Sequence, residues 1–486
     1  MTNQTFGVVP YPHQVAGADF LDTQPRAILA DEVGLGKTIQ AALVIERASH
    51  HDTFSAPGRP DGPPIVWVTD AALISQAVDE LRRLLPNLTI DASTHRAWST
   101  NPSKKATQEW TALAADLHVV VISYDTLRTR LDTALVSHWR PHILVLDEIM
   151  AVKGGKTNWE AVRTLSARAH RCIGLTATPV ETVPTETWAA LAAVGTPNLW
   201  DQETFDREFV EWAPTGTNIL GEPMPPRAVG FLPGAETHLR EYLRGVTLRR
   251  TAQDIGLSLP TLVRKTTFVP LTPPQQKQHD RYATMPGLHG HQKRAKAARY
   301  AAGSSATANE FIRLVTAADY HQTPKVIVFS EFQDVLNVVC ERLRSVGVSF
   351  VRVDGGVDRV GRAAAVAAFR DPAGPRVLVG SSVLERGLNL QTCGVLVSLD
   401  SSWNPAREVQ REGRIRRLGS LFPWVVHHTV LPDVPDARRK AGVVAGREAV
   451  ASQVLAGPPQ QGPCERDWWA EEQDRMLTHH TMGVWG

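Results

Sequence analysis

The residues most able to do chemistry stand together near the start of the chain: Asp31-Glu32-Val33-Gly34-Leu35-Gly36-Lys37-Thr38. They follow the apolar run Ala27 to Ala30 and precede a helical pattern from Ile39 to Ala48. Strand, glycine loop and helix in that order are the setting of a phosphate-binding loop. Across Gly34, Leu35 and Gly36 the backbone N–H groups can approach phosphate oxygens, because glycine leaves room and tolerates unusual φ. The helix N-terminus adds positive potential. Lys37 is placed to reach the β- and γ-phosphates of ATP, and Thr38 to bind Mg²⁺. One position departs from the pattern: Asp31 stands where such loops usually carry their first glycine. The competing reading is a glycine-rich turn with a surface lysine.

A second constellation answers the first. Ile143 to Leu146 is an apolar strand that ends in Asp147-Glu148. A carboxylate at the C-terminal end of such a strand can hold Mg²⁺, here Asp147. Its neighbour Glu148 can orient and polarise an attacking water. Upstream, Gln14 in Tyr11-Pro12-His13-Gln14 offers a donor and an acceptor. That suits an adenine edge, or equally an ordinary surface position. Much later, Arg414 and Arg417 are spaced to share one helix face. An arginine brought to the γ-phosphate from another lobe stabilises transition-state charge. The alternative for Arg407, Arg411, Arg414, Arg416 and Arg417 is a solvated basic face.

The elements that must position these groups are legible as two α/β series. The first has apolar runs at Ile65 to Val68, Val119 to Ile122, Ile143 to Leu146 and Ile173 to Leu175. The second has Val326 to Phe329, Phe350 to Val353, Val377 to Val379 and Val395 to Leu399. Continuous apolar strands of this kind are buried on both faces, as in parallel sheets covered by helices. Helical patterns lie between them, for example Ala71 to Leu85 and Asp334 to Val346. The expected organisation is a first lobe over 1–250, a linker and helical insertion over 251–309, a second lobe with a bracing helix over 310–457, and a tail over 458–486. Pro214 to Pro233 reads as loop, as does Ser55 to Pro64. Lys277 to Arg299 reads as a basic helical insertion, able to contact nucleic acid or simply solvated.

Bulk properties narrow the classes. The chain has 486 residues, enough for two large domains or three smaller ones. A net charge of +2 means that any nucleic-acid surface is local. Cys172, Cys340, Cys393 and Cys464 form no Cys-x-x-Cys pair, which argues against zinc and fits a reducing cytosol. No apolar run is long enough for a membrane span and no leader is evident, so a cytoplasmic location is expected.

Taken in order, these motifs resemble the superfamily 2 helicases, and within them the Swi/Snf-type double-stranded DNA translocases. Leu29 to Thr38 matches that branch's form of the phosphate loop, Asp31 included, and Tyr11 to Gln14 resembles its adenine-reading element. Ser123-Tyr124-Asp125-Thr126-Leu127 resembles a motif near DNA, and Leu175 to Pro179, with Thr176 and Thr178, the coupling motif. Leu248 to Thr251, then Leu259-Pro260, resembles the passage between lobes. In the second half, Val326 to Ser330, Asp354-Gly355 with Arg362, and Ser381-Ser382 through Gly387 to Leu390 resemble successive motifs of the second lobe. Asp400-x-x-Trp403-Asn404-Pro405 and Gln410-x-x-Gly413-Arg414-x-x-Arg417 resemble the arginine-finger motif.

The resemblance implies two RecA-like lobes, each a parallel sheet covered by helices, with helical insertions between them. It implies ATP with Mg²⁺ in the cleft, Gly387 and Gln410 beside the nucleotide, and DNA contacts from Ser123, Tyr124, Ser330, Ser382 and Trp403, Trp403 being equally at home in a core. It departs from the pattern at Ile149-Met150, where a small residue and His are usual, at Leu384-Glu385-Arg386, usually glycine-rich, and at Ser420, usually Gln. The implied activity is ATP-dependent movement on double-stranded DNA. A strand-separating DNA or RNA helicase, and a slowly hydrolysing clamp within a larger complex, stay open beside it. A protein partner could bind through the tail or the insertion.

Overall fold

In a computed structural model of the chain, the described residues run from 6 to 442, apart from 51–61, 72, 94–97, 99–103, 106–107, 111–115, 134, 155, 180–182, 216–224, 258, 286–295, 302–304, 317–319, 321–322, 358, 382–383, 385–389, 403–404 and 418–419. The first six strands are β1 (Arg26–Leu29), β2 (Ile65–Thr69), β3 (Ile90–Ala92), β4 (Val119–Ser123), β5 (Ile143–Asp147) and β6 (Arg171–Leu175). A short antiparallel pair comes next, β7 (Val210–Ala213) and β8 (Arg227–Phe231), and then β9 (Thr247–Leu248). The later strands are β10 (Thr261–Val269), β11 (Val326–Phe329), β12 (Phe350–Val353), β13 (Val377–Gly380), β14 (Val395–Ser398) and β15 (Trp424–Pro432).

These strands build two parallel sheets. The first has the order β3-β4-β2-β5-β6-β1-β9 and the second β10-β15-β14-β11-β13-β12. In β2 and β4 every residue is buried, which is why their sequences read as unbroken apolar runs. Successive side chains nonetheless go to opposite layers. Val66, Val68, Ile122 and Leu146 pack on one face of the first sheet. Ile65, Trp67, Val121 and Val145 pack on the other. The second sheet divides likewise, with Val326, Val328 and Val377 on one face and Ile327, Phe329 and Leu378 on the other. Two RecA-like lobes are therefore present, each a parallel sheet between helical layers.

Two expectations about the middle of the chain are corrected. The stretch read as linker holds β10, whose nine residues pair in register with β15 of the second sheet. Its run of Arg264, Lys265 and Thr266, all exposed, belongs to an edge strand that faces water in part. The second lobe's sheet thus begins at Thr261. The loop expected over Pro214 to Pro233 contains β8, whose alternating exposure leaves only Phe231 buried. The basic insertion includes the helix Pro273–Ala283, and its far end docks on the second lobe, where Arg299 Nε lies 2.8 Å from Asp334 Oδ2. Lys293, Arg294 and the tail over 458–486 lie outside the described residues. Cys172, Cys340 and Cys393 are buried free thiols. Among the described residues no helix is long and apolar enough to cross a membrane.

Candidate active site

Strand register assembles the site. Leu29 of β1 and Asp147 of β5 are both level with Leu175 of β6, which lies between them. The phosphate loop after Leu29 and the acidic pair at Asp147-Glu148 therefore leave the sheet at one edge, with Thr176 between them. Thr176 is buried and its N–H donates to the Leu29 carbonyl at 3.1 Å. The Thr178 N–H donates to Thr176 Oγ1 at 3.1 Å. Both Gly34 and Gly36 have left-handed backbones, with φ of 95° and 79°. A Cβ on Gly36 would come 2.3 Å from Gln14 Nε2 and displace that amide, but it is the torsion that chiefly reserves the position for glycine. The helix Lys37–Ser49 then starts without a side-chain cap. Its first N–H groups are left for an external acceptor.

A cavity of about 320 Å³ opens at this edge. The first lobe lines it with Gly34, Gly36, Lys37, Thr38, Asp147 and Glu148; the second lobe lines it with Gln391, Gln410, Arg414 and Arg417. Lys37 Nζ donates to the Asp31 carbonyl at 2.7 Å. Burial draws the Lys37 pKa below its ordinary value, against the pull of Glu148, Asp31 and Asp147. Asp147 and Glu148 are both pushed above the ordinary carboxylate range. Burial is the main cause for each, and for Glu148 the adjacent Asp147 adds to it. Asp147 is held by the Thr69 hydroxyl, which donates at 3.1 Å. Glu148 has a φ of 51°, in the left-handed region that non-glycine residues seldom occupy.

The donor set fits a nucleoside triphosphate with its cation. Unsatisfied N–H groups, a lysine and two arginines converge on the space where phosphates would lie. Among the described residues no cluster of three or more His, Cys, Asp or Glu could cage a metal alone. One carboxylate and one hydroxyl, Asp147 and Thr38, suit Mg²⁺, which takes the rest of its ligands from phosphate and water.

The unusual Asp31 has a physical account. Its carboxylate is fully buried and accepts from Arg250 Nη2 at 2.5 Å, from the Arg250 backbone N–H at 3.0 Å and from Gln40 Nε2 at 2.9 Å. Arg250 also donates to the carbonyl of His13 at 2.7 Å. The loop is thereby locked to the segment leaving β9. Gln14 is turned inward: its amide donates to the Leu35 carbonyl at 3.2 Å and accepts from the Tyr11 N–H at 2.9 Å. Neither Gln14 nor the buried Leu35 lines the cavity.

The arginine pair is corrected in one respect. The helix Pro405–Glu412 ends before Arg414 and Arg417, which stand in the next turn and not on a helix face. Gly413 marks the stop. A Cβ there would meet Val33 Cγ1 of the phosphate loop at 2.2 Å, so the lobes touch where only glycine fits. The turn is anchored by Glu412, buried, which accepts from Arg264 Nε at 2.6 Å and Nη2 at 2.7 Å. His427 Nδ1 lies 3.0 Å from the same carboxylate and its Nε2 2.9 Å from Ser398 Oγ. Burial opposes the charge, yet Arg264 and His427 hold the Glu412 pKa down at about 2. The solvated alternative fails for Arg411, which is buried with its guanidinium 3.5 Å from the Phe329 ring centroid.

Other expected positions lie elsewhere. Ser123 caps the helix Tyr124–Arg130 by accepting from the Thr126 N–H at 3.0 Å. Tyr124 donates to the Asp147 carbonyl at 2.8 Å. Ser330 donates to Asp400 Oδ2 at 2.5 Å. All three are buried, so as placed they shape the ends of their strands and present no hydroxyl outward. Ser382, Gly387 and Trp403 lie outside the described residues. Met150 packs into the first lobe's core, where an imidazole would have been polar, and Leu384 is buried over Gly380. Sequence reasoning missed Glu80 and Gln391. Glu80 sits in the helical pattern already noted, and Gln391 directly follows the Gly387 to Leu390 motif.

A phosphate loop, a strand-end acidic pair and a second-lobe arginine turn around one cavity define a two-lobed nucleoside triphosphatase. A family model described as SNF2-related domain matches residues 13–320, and one described as Helicase conserved C-terminal domain matches 307–419. The chain belongs to the SNF2-related family. It is 24% identical over 472 residues to the uncharacterized ATP-dependent helicase YqhH of Bacillus subtilis, covering 87% of this chain and 76% of that one. It is 25% identical to the bovine SWI/SNF-related matrix-associated actin-dependent regulator of chromatin subfamily A-like protein 1, covering 87% of this chain but 43% of that one. A solved structure, the Sulfolobus solfataricus SWI2/SNF2 ATPase core in complex with dsDNA, aligns over 97% of both chains with 16% identity and a TM-score of 0.43.

Two outcomes are expected from this geometry. Arg250→Met leaves the Asp31 carboxylate buried without its cation, and the first lobe should lose about 3–5 kcal/mol, read from its urea midpoint. Adding Asp31→Asn should restore much of that loss; no recovery would refute the pairing. Asp400 provides a pH test. Burial raises its pKa to about 6 despite Arg411 and the Ser330 hydroxyl, while Glu331 raises it further and Lys440 faces the same cluster. Between the unfolded carboxylate's pKa near 3.9 and about 6, the folded chain keeps a proton that the unfolded chain gives up. Stability therefore falls as pH rises through that window. From pH 4 to 7 the parent should lose on the order of 2–3 kcal/mol relative to Asp400→Asn, measured by denaturant unfolding. Parallel pH curves for the two proteins would show the shift to be absent.

Proposed function

We propose that the chain is an ATP-dependent translocase on double-stranded DNA, remodelling or displacing what is bound there. The observation that carries this reading is the single cavity lined by Lys37, Thr38, Asp147 and Glu148 from one lobe and by Gln410, Arg414 and Arg417 from the other. Mg²⁺ bound at Asp147 and Thr38 would neutralise phosphate charge. Lys37 orients the phosphates. Glu148 takes a proton from the attacking water. Arg414 and Arg417 meet negative charge developing on the far side, and Gln410 lies beside them. Because these groups come from both lobes, closure of the cleft completes the site and opening dismantles it. Thr176 and Thr178, between the phosphate loop and the acidic pair, couple that change to the rest of the first lobe.

Movement requires a grip on nucleic acid that ignores sequence, hence contacts with backbone phosphates. The buried positions of Ser123, Tyr124 and Ser330 favour an indirect part for them, setting the strand ends from which such contacts are made. Turnover with double-stranded DNA, single-stranded DNA and RNA tests the reading. Double-stranded DNA should stimulate most, and stimulation by RNA alone would overturn it. Lys37→Ala and Glu148→Gln should abolish stimulated turnover. Arg417→Ala should lower it about 10³-fold or more with nucleotide binding retained. Full activity in any of the three would break the assignment.

The β7–β8 hairpin supports a second reading, strand separation. Trp212 and Val229 on it are large apolar side chains left exposed. If the hairpin splits duplexes, a fluorescent duplex will open with ATP and Trp212→Ala will slow opening more than turnover. A duplex that stays closed while ATP is consumed would leave translocation standing alone.

A further inference from the structure

The phosphate loop meets the second lobe at a residue outside the phosphate-binding set. Glu32 precedes Val33 in that loop, and its two carboxylate oxygens face different ways. Oε2 accepts from the Ala252 N–H at 2.8 Å, at the start of the passage between the lobes. Oε1 accepts from Arg416 Nη1, in the arginine turn of the second lobe. Arg416 is itself two-handed, since its Nε donates to the Pro260 carbonyl at 3.0 Å, at the end of that passage. The pair therefore closes residues 252–260 into a loop held at both ends. Its anchorage is firm on each side. The Glu32 N–H donates to the Arg250 carbonyl at 2.9 Å, beside the buried Asp31–Arg250 pair. The Arg416 N–H donates to the carbonyl of Glu412, whose carboxylate is fixed by Arg264 and His427.

Next to this pair are the two arginines that line the cavity. Arg417 Cγ would lie 3.5 Å from a Cβ on Gly34, so Arg417 rests on the phosphate loop itself. The Arg414 carbonyl accepts from the Leu390 N–H at 3.2 Å, so the other side of the turn is held within the second lobe. Both members of the Glu32–Arg416 pair are half-buried and neither lines the cavity.

We propose that Glu32 and Arg416 are positioning residues that staple the interlobe passage and set Arg414 and Arg417 opposite Lys37 and Glu148. The staple fixes where the arginine turn stands when the cleft is closed and has no contact with phosphate. Its removal should leave nucleotide affinity intact and slow the chemical step, because the arginines then sample positions too far from the γ-phosphate. This inference rests on the reading of Arg417 as a second-lobe arginine acting in the cavity.

Steady-state ATPase kinetics on the full chain with double-stranded DNA test it, together with binding of a fluorescent ATP analogue. Glu32→Gln keeps an oxygen for the Ala252 N–H and removes the charge that holds Arg416. Arg416→Met keeps the apolar stem and removes the guanidinium. Each should lower kcat roughly ten- to a hundredfold, with KM and analogue affinity within about threefold of the parent. The double variant should be no worse than either single one, because both break the same link. Arg416→Lys should recover part of kcat, since it retains a cation for Glu32 but not the fork that also reaches Pro260. Unchanged kcat in both single variants, additive losses in the double variant, or a loss confined to analogue binding would each overturn the staple. Arg417→Ala is measured in parallel. If it too keeps full activity, the arginine reading fails; if it is inactive while Glu32→Gln is normal, only the staple fails.

Discussion

A carboxylate with no exposure must find its partners inside the protein, and in this chain the fully buried Asp31 finds them in Arg250 and Gln40. Much of the site depends on that requirement. Glycine at position 31 would have left the guanidinium of Arg250 without its buried carboxylate, and the loop tied to the passage only through Ala30 and Glu32. Asp31 instead makes the loop and the passage one body, with Arg250 reaching on to the His13 carbonyl and the Gln40 side chain. The helix Pro12–Thr23, the loop, the helix Lys37–Ser49 and the start of the interlobe passage are thus fixed by one guanidinium. Such a pair is costly to bury and costlier to break, so its value lies in geometry more than in net stability.

The second lobe solves a matching problem. Its arginine turn must be rigid enough to present two cations to the same cavity without a helix to carry them. Glu412 supplies the rigidity. Two strands on the same edge of the second sheet, β10 and β15, send Arg264 and His427 to it. The chain can then end the helix at Gly413 and still hold the arginine turn in place. That glycine also answers the first lobe, because any larger residue would strike Val33. Close approach of the lobes and termination of the helix are one event at one residue.

How much of this is visible in the chain itself depends on the range of the forces involved. The two α/β series, the phosphate loop and the strand ending in Asp147-Glu148 are local patterns, legible in the sequence as strands, loop and acidic pair. Strands such as β2 declare themselves because both faces are apolar. β10 does not, because its polar residues are those of an edge and its partner β15 lies far along the chain. His427 and Glu412 read as ordinary polar residues until the fold brings Arg264 to them. The spacing of Arg414 and Arg417 is helical, yet the turn is set by Val33 of the other lobe, which no local period can show. Ser123 and Ser330 are legible as parts of motifs, but not as a helix cap and a partner of Asp400, since the groups they satisfy are defined only by where each strand stops.

The acidic pair shows how these long-range ties reach the chemistry. Glu148 must leave β5 with its side chain toward the cavity, and the chain achieves this with a left-handed backbone at a residue that has a Cβ. Such a conformation costs on the order of 1 kcal/mol or more and persists only where neighbours enforce it. Here Tyr124 donates to the carbonyl between Asp147 and Glu148, and the Ala151 N–H donates to the next carbonyl at 2.8 Å. Tyr124 begins the helix that Ser123 caps, in the segment resembling a DNA-facing motif. A shift at that end of β4 therefore moves a hydrogen bond on the backbone of the residue that would activate water. The Tyr124 phenol thus ties the end of β4 to the backbone that carries Glu148.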